Sequence, residues 1–256
     1  MKAWARERVL EQSRLWVSPW RPPDSTHTIV DGYEYYLVGS EATLRAHPAL
    51  LPDADHLIRA ALDAAARCGA TSLNITVGLD YPGGNAAHEA LTSMSTRAPD
   101  IVDVVAMDLT IALVEGVPVP PNVAVVEVLT HEQVAEFERT SARGWGYSDP
   151  SGASIQAAYR KLVPGSFLAH CSGVPAGTGG FTLVGPVARF WGASVVPANR
   201  GRGVYRGLVA TRLANAATRG ATLALVHAGP TSSPLLQRLG FVKFGERHTF
   251  RIDLDP

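Results

Sequence analysis

The chain has little cysteine: Cys68 and Cys171 are the only two in 256 residues, and they are far apart. Two isolated thiols cannot build a disulfide scaffold, and their spacing is not that of a zinc site, so no metal is expected and a reducing compartment suits the chain. Net charge is also missing. Lys plus Arg number 23 and Asp plus Glu number 23, which argues against general binding to nucleic acid or to an anionic membrane and leaves only local basic patches to consider. No apolar run approaches the length of a membrane span. The N-terminal stretch "MKAWARERVLEQSRLW" is charged throughout and lacks the apolar core of an export signal. The expectation is therefore a soluble, unexported, cytoplasmic protein.

What is present is core-forming material. Hydrophobic residues make up 46% of the chain, enough for one large domain or two small ones. A short helix is expected within residues 1–22, stopped by Trp20-Arg-Pro-Pro23. A strand at 33–39, a helix at Leu57–Cys68, a strand at 71–77, a helix near 86–95 and a strand at 101–111 follow. The segment "EGVPVPPN" (115–122), with three prolines, reads as a linker. Beyond it come a strand at 123–128, a helix "HEQVAEFERTSA", a loop "RGWGYSDPSG", a helix "IQAAYRKL", a strand at 166–171 and "SGVPAGTGG" as a turn. Two β stretches, "FTLVGPV" and "ARFWGASVV", lead to a helix at 204–219, a strand at 222–228, a short helix "SSPLLQRLG" and a final strand "FVKFGERHTFRIDL". This alternation predicts an α/β (α+β) build, with a mixed sheet flanked by helices.

The two halves echo each other. "LDAAARCGAT" (62–71) aligns with "LANAATRGAT" (213–222) at an offset of 151, with Leu62, Ala65, Ala66, Gly69, Ala70 and Thr71 matched by Leu213, Ala216, Ala217, Gly220, Ala221 and Thr222. Each copy spans a helix end, a glycine just past it and the start of a strand. "MDL" (107–109) and "IDL" (252–254) echo again.

The stretch "VPANRGRGVY" (196–205) stands immediately before the helix. Its glycines admit backbone conformations closed to other residues and let a ligand approach the main chain. The first amides of a helix have no intrahelical partner and carry the positive end of its dipole. A pyrophosphate fits such a place, with Arg200 and Arg202 beside it; the alternative is an ordinary strand-to-helix turn with solvated arginines. Two other phosphate motifs fail. A P-loop needs Gly-Lys-Ser/Thr, which is absent. A dinucleotide fingerprint needs G-x-G-x-x-G, whereas the spacing here is Gly201-x-Gly203-x-x-x-Gly207, and the next strand ends in His227-Ala228-Gly229 without the acidic residue required.

The context "FLAHCSGVPAGTGGFTLVG…WGASVVPANRGRGVYRGLVATRLANAATRGATLALVHA…SSPLLQRLGF" resembles the GNAT superfamily of acyl-CoA N-acyltransferases. In that family a strand ending in Val-x-Pro leads into an Arg/Gln-x-x-Gly-x-Gly/Ala loop and a long helix, and a later short helix ends in Leu-Gly-Phe. Val195, Pro197, Arg200, Gly203 and Leu239-Gly240-Phe241 occupy these positions. The resemblance covers residues 122–256. It implies a mostly antiparallel twisted sheet, with acetyl-CoA as cosubstrate and a small-molecule amine as acceptor. Coenzyme A would be bound by Arg200, Gly201, Arg202, Gly203, Val204 and Tyr205 at its pyrophosphate, and by Ala193, Ser194 and Val195 along the pantetheine arm. A main-chain amide there would polarise the thioester carbonyl, and the amine would attack directly after losing a proton to a base or a water. Trp145 and Tyr147 would wall the acceptor pocket and Asp149 would pair with the amine, unless that loop is simply a surface loop. His227 is the candidate base, with a buried or hydrogen-bonded histidine as the alternative, in which case Asp149 or an ordered water is the next candidate. His170 and Cys171 face opposite sides of their strand and form no nucleophile pair.

Three positions depart from the family pattern. Tyr205 replaces the usual Gly or Ala, Leu236 stands where many members have a tyrosine that protonates the leaving thiolate, and Arg189 lies where some carry a glutamate base. In the aligned first half, Ala49-Leu50-Leu51-Pro52-Asp53 replaces the loop, and Asp53 and Asp55 at a helix start would repel a phosphate. Residues 1–114 are therefore expected as a degenerate, partial GNAT-like domain that buttresses the sheet or roofs the acceptor cleft, and 122–256 as the catalytic domain, in a monomer or homodimer. The rival to acyl transfer is a non-catalytic acyl-CoA-binding regulatory protein.

Overall fold

The computed structural model describes residues 4–17, 25–46, 54–79, 83–112 and 117–254. In chain order the elements are α1 (Arg6–Arg14), β1 (Thr26–Val30), β2 (Tyr33–Val38), β3 (Glu41–Ala46), α2 (Ala54–Arg67), β4 (Ser72–Gly78), α3 (Gly84–Met94), β5 (Asp100–Asp108), α4 (Leu109–Ala112), β6 (Val123–Glu127), α5 (His131–Trp145), α6 (Gly152–Arg160), β7 (Ser166–Cys171), β8 (Val174–Val184), β9 (Val187–Val195), α7 (Val204–Thr218), β10 (Leu223–Ala228), α8 (Ser233–Arg238) and β11 (Val242–Asp253), with a 3-10 turn at Pro197–Asn199. They form two compact units.

One unit takes Ala5–Val105, His227–Gln237 and residues from Lys243 on. Its strand order is β1-β2-β3-β4-β11-β5. Asp31 and Gly32, with φ of 50° and 81°, turn the β1–β2 hairpin, as an Asp-Gly pair favours. β2 and β3 are antiparallel, and β3 then runs parallel to β4 through the crossover helix α2. Ile58, Ala61, Ala64 and Ala65 of α2 and Leu91 of α3 pack over Tyr35, Leu73, Ile75, Phe250 and Ile252. The Tyr35 hydroxyl donates to Ala61 O at 2.8 Å, so its polar tip is satisfied inside this core.

The other unit takes Trp4, Ala106–Val226 and Arg238–Val242. Its strand order is β5-β10-β9-β8-β7-β6. β6 to β9 pair antiparallel in succession, and β9 pairs parallel with β10 across α7. At the start of α5, Thr130 and Gln133 form a capping box, which fixes the helix entry by pairing two otherwise orphaned amides.

The internal echo is a structural repeat. At the end of α2, Ala70 N donates to Ala65 O and Gly69 N to Ala66 O; at the end of α7, Ala221 N donates to Ala216 O and Gly220 N to Ala217 O. Gly69 and Gly220 have φ of 76° and 87°. Both are Schellman closures built on equivalent residues, and both lead into a strand that pairs parallel with the strand before the helix.

The architecture differs from the sequence expectation in several places. β1 and β3 were not expected. "VPAGTGG" is strand rather than turn: only Ser172-Gly173 turns, and β8 begins at Val174. Its glycines make room for neighbours. A Cβ on Gly177 would lie 2.7 Å from Ser194 O and 2.9 Å from Val204 Cγ1, and one on Gly180 would collide with the Trp191 ring. β5 ends at Asp108, where Thr110 N donates to Asp108 Oδ1 and α4 begins. The division into units also departs from a boundary near 114–122. β11 is in register with β4 from Ser72↔Asp253 to Gly78↔Arg247, and this ladder carries the C-terminal strand into the first-half unit. The Trp20–Pro23 stop and the loop-equivalent Ala49–Asp53 lie outside the described residues.

Candidate functional site

β9 and β10 run parallel over four residue pairs, from Val187↔Leu223 to Phe190↔Val226, and pair no further. Beyond Phe190, β9 is held by β8 alone, through Gly180↔Trp191, Thr178↔Ser194 and Gly177↔Val195. Gly179 of β8 thus stands opposite two residues, Gly192 and Ala193, and Gly192 has φ of 62°. This is a β-bulge, which bends a strand and re-aims its amides. Ala193, Ser194 and Val195 therefore lie on a stretch of β9 that has a ladder on one side only. Ser194 is buried, with its hydroxyl 3.1 Å from that of Thr178.

The strand leads into the glycine–arginine loop. Val196 N donates to Ala176 O, and the 3-10 turn follows. Gly201 and Gly203 have φ of 74° and 84°. Gly203 is additionally required by contact, since a Cβ there would lie 2.7 Å from Pro120 Cγ. No side chain caps α7 at Gly203, so the positive end of a fifteen-residue helix opens onto the loop. Arg200 and Arg202 are exposed. The Arg200 Nε donates to Val195 O at 3.3 Å, and Arg202 reaches Asn199 Oδ1 at 3.2 Å and Ser172 Oγ at 3.4 Å. Asn122 donates to Arg202 O. Val204 is buried and Tyr205 half-buried. Asn122, Ser172 and Pro120, which fix the loop's shape, had no signal in the sequence because they come from other turns of the chain.

The expected acceptor loop is shorter than the sequence suggested. α5 continues through Arg143 and Gly144 to Trp145, and Gly146, with φ of 79°, ends it. Gly144 rests directly on Ser194, and a Cβ there would collide with the serine hydroxyl. Trp145 and Tyr147 follow within three residues, 49% and 44% exposed, and Asp149 is exposed as well. The structure thus brings the start of this loop against the one-sided stretch of β9. Earlier on α5, burial holds the Glu138 carboxyl above the usual range; sequence reasoning passed over this residue because it sits inside an ordinary amphipathic helix.

His227 is tied down within the first-half unit. Its Nδ1 lies 2.9 Å from Arg247 Nη1, its Nε2 lies 2.8 Å from Ser13 Oγ, and its ring packs on Trp16 with centroids 4.4 Å apart. A guanidinium only donates, so Nδ1 accepts and Nε2 carries the proton toward Ser13. This is the arrangement of the hydrogen-bonded alternative, in which the ring nitrogens are engaged by Arg247 and Ser13. His170 lies 3.3 Å from Glu136, and Cys171 is buried. Leu236 is fully buried. Arg189 is buried on β9, and burial lowers its affinity for the proton. Among the described residues no group of side chains is placed to hold a metal ion, and no helix is long and apolar enough to cross a membrane.

β9 thus parts from its parallel neighbour, carries a bulge and then enters an uncapped helix through a glycine–arginine loop, and the fold that holds this arrangement has counterparts among solved structures. A GCN5-related N-acetyltransferase from Kribbella flavida superposes with a TM-score of 0.64 at 17% identity, covering 98% of this chain and 96% of that one. The chain has the GNAT fold. A tandem GNAT protein from the clavulanic acid biosynthesis pathway gives a TM-score of 0.66 at 17% identity, with 93% and 86% of the two chains covered. A GCN5-related N-acetyltransferase from Sphaerobacter thermophilus gives 0.64 at 14%, with 88% and 78% covered. No family model matches the sequence, and no curated protein matches it. The GNAT likeness spans both units, consistent with the repeat in this chain.

Proposed function

We propose that the chain is an acyl-CoA-dependent N-acyltransferase that uses acetyl-CoA and a small amine acceptor. The observation that carries this reading is the parting of β9 from β10 after Phe190↔Val226, on the strand that leads through the glycine–arginine loop to the uncapped start of α7. The residues fit the ligand. The left-handed Gly201 and Gly203 and the exposed Arg200 and Arg202 suit a pyrophosphate, and the open side of Ala193–Val195 suits main-chain pairing with a pantetheine amide. The equivalent helix α2 carries Asp55 in its first turn, which disfavours a second anion there, so one coenzyme A per chain is expected.

When bound, acetyl-CoA supplies an activated acyl carbon. The bulged main chain at Gly192–Ala193 offers donors to the acyl oxygen as charge develops on it. The acceptor nitrogen forms a bond to the acyl carbon as the carbon–sulfur bond breaks; the amine gives up one proton and the departing thiolate takes one. With His227 engaged and Leu236 unable to donate, water carries these protons in this reading. Trp145, Tyr147 and Asp149 would face the acceptor, the aromatics as apolar wall and the carboxylate as partner for its ammonium group.

The fully buried Leu236 and the engaged His227 favour one other reading, a protein that binds acyl-CoA without turning it over. Thiol release from acetyl-CoA with a panel of polyamines, amino sugars and amino acids separates the two. Turnover with any amine supports transfer, and binding of acetyl-CoA without turnover across the panel supports the binding role.

A further inference from the structure

Arg212 stands in the middle of α7 and is 2% exposed. Its Nε donates to Leu208 O at 3.0 Å, its Nη1 donates to Gly180 O at 3.3 Å, and its guanidinium carbon lies 4.6 Å from the centre of the Phe190 ring. Among the described residues no carboxylate pairs with it. Burial pushes its pKa down to about 10, with a smaller opposing influence from Tyr205. A buried cation without a counter-charge is costly, and this one sits at a particular place. The position a Cβ of Gly179 would occupy is 3.3 Å from both Arg212 Cζ and Nη1, and 3.4 Å from the Cα of Ala193. The guanidinium therefore lies against the backbone at the point where Gly179 faces both Gly192 and Ala193. It also grips the carbonyl of Gly180, the residue at which the β8–β9 register resumes after the bulge.

We propose that Arg212 is a positioning residue for acyl transfer: it locks the Gly192–Ala193 bulge from the α7 side and places a fixed positive charge beneath the amides that receive the acyl oxygen. This rests on the acyl-CoA reading of the site and adds to it a source of preorganisation that the β9 main chain alone lacks. Glycine at 179 fits this role, because a Cβ there would press closely on the guanidinium and on Ala193. Charge at 212 is explained too, since a neutral side chain of the same length would fill the space and hold neither the carbonyl nor the field.

The test uses the full chain with coenzyme A and with acetyl-CoA labelled with carbon-13 at the carbonyl. Calorimetry gives the two affinities, and difference infrared spectroscopy gives the carbonyl stretch of the bound thioester. In the wild type the stretch should lie below its value in water, and acetyl-CoA should bind roughly fivefold more tightly than coenzyme A, about the worth of one hydrogen bond. Arg212→Met should return the stretch toward its value in water and erase that preference while leaving the affinity for coenzyme A within about twofold, because the hydrogen bonds of Arg212 go to Leu208 O and Gly180 O and not to Arg200–Gly203. Arg212→Lys, which keeps the charge and most of the volume, should give an intermediate stretch, and it decides the matter if the methionine variant does not fold. Wild-type values of stretch and preference in the folded variants would overturn the role of Arg212. Failure of the wild type to bind either ligand would overturn the acyl-CoA reading and this role with it.

Discussion

Phe190 of β9 and Val226 of β10 form the last parallel pair before these two strands part. Up to that pair β9 has a ladder on both sides; after it, Trp191–Val195 relies on β8 alone. An exposed ladder edge inside a fold is a place for another chain or ligand to pair, and here it runs directly into the glycine–arginine loop.

The loop arginines should matter for affinity. Arg200→Ala and Arg202→Ala are each expected to weaken coenzyme A binding by roughly tenfold, the scale of a charge-assisted hydrogen bond, and the effect should shrink as salt rises. Asp55→Ala should leave it unchanged. Titration calorimetry at two ionic strengths checks all three, and equal binding by wild type and both arginine variants would remove the loop from the site.

His227→Ala should lower stability by about 1–3 kcal/mol, since it removes the hydrogen bonds to Arg247 and Ser13 and opens the contact with Trp16. In a chain that turns over an amine, the pH profile of kcat/KM should keep its shape. Loss of a limb in the histidine range, in a variant that melts like the wild type, would identify His227 as the base.

Glu138 gives a pH signature. Its carboxyl is held above the usual range by burial, so the folded state binds the proton more tightly than the unfolded state does. Between the ordinary carboxylate pKa and the raised one, the folded chain carries more protons, and stability must fall as pH rises through that window and level off above it. Glu138→Gln should flatten this slope and raise the melting temperature at neutral pH. Melting curves across the acidic range measure it, and an unchanged slope would show that the carboxyl titrates normally.

Leu236→Tyr forces a larger, polar side chain into a fully buried position on α8. The expected cost is about 1–3 kcal/mol, seen as a lower denaturant midpoint, with coenzyme A affinity unchanged. A gain in stability would mean that the space around Leu236 is larger than its burial indicates.

The loop, the helix behind it and the internal repeat were readable because each rests on local chemistry. Gly201 and Gly203 mark left-handed turns, Arg200 and Arg202 mark charge, and Gly69 and Gly220 close two helices in the same way. β3 was missed although "EATLRA" alternates polar Glu41, Thr43 and Arg45 with apolar Ala42, Leu44 and Ala46, because Glu and Ala are weak strand formers and the segment takes its place by pairing with β2 and β4. The glycines of β8 read as a turn by composition, although they serve close approach to Ser194, Val204 and Trp191. β11 looked like part of the second half until its ladder with β4 placed it in the first. Arg212 and Glu138 gave no signal because the sequence does not say which face of a helix meets a bulge and which is denied water. His227 was located correctly at the end of a strand, but Ser13 and Arg247, which decide its state, lie 214 and 20 residues away.

The most direct test of the acyl-CoA site is a backbone amide titration by NMR, with coenzyme A added to isotope-labelled full-length chain. The expected result is saturable shifts centred on Gly192–Val195 and Gly201–Tyr205 with a stoichiometry of one, and no shift at the start of α2. Saturable binding that leaves these two segments unmoved, or a second site at α2, would contradict it.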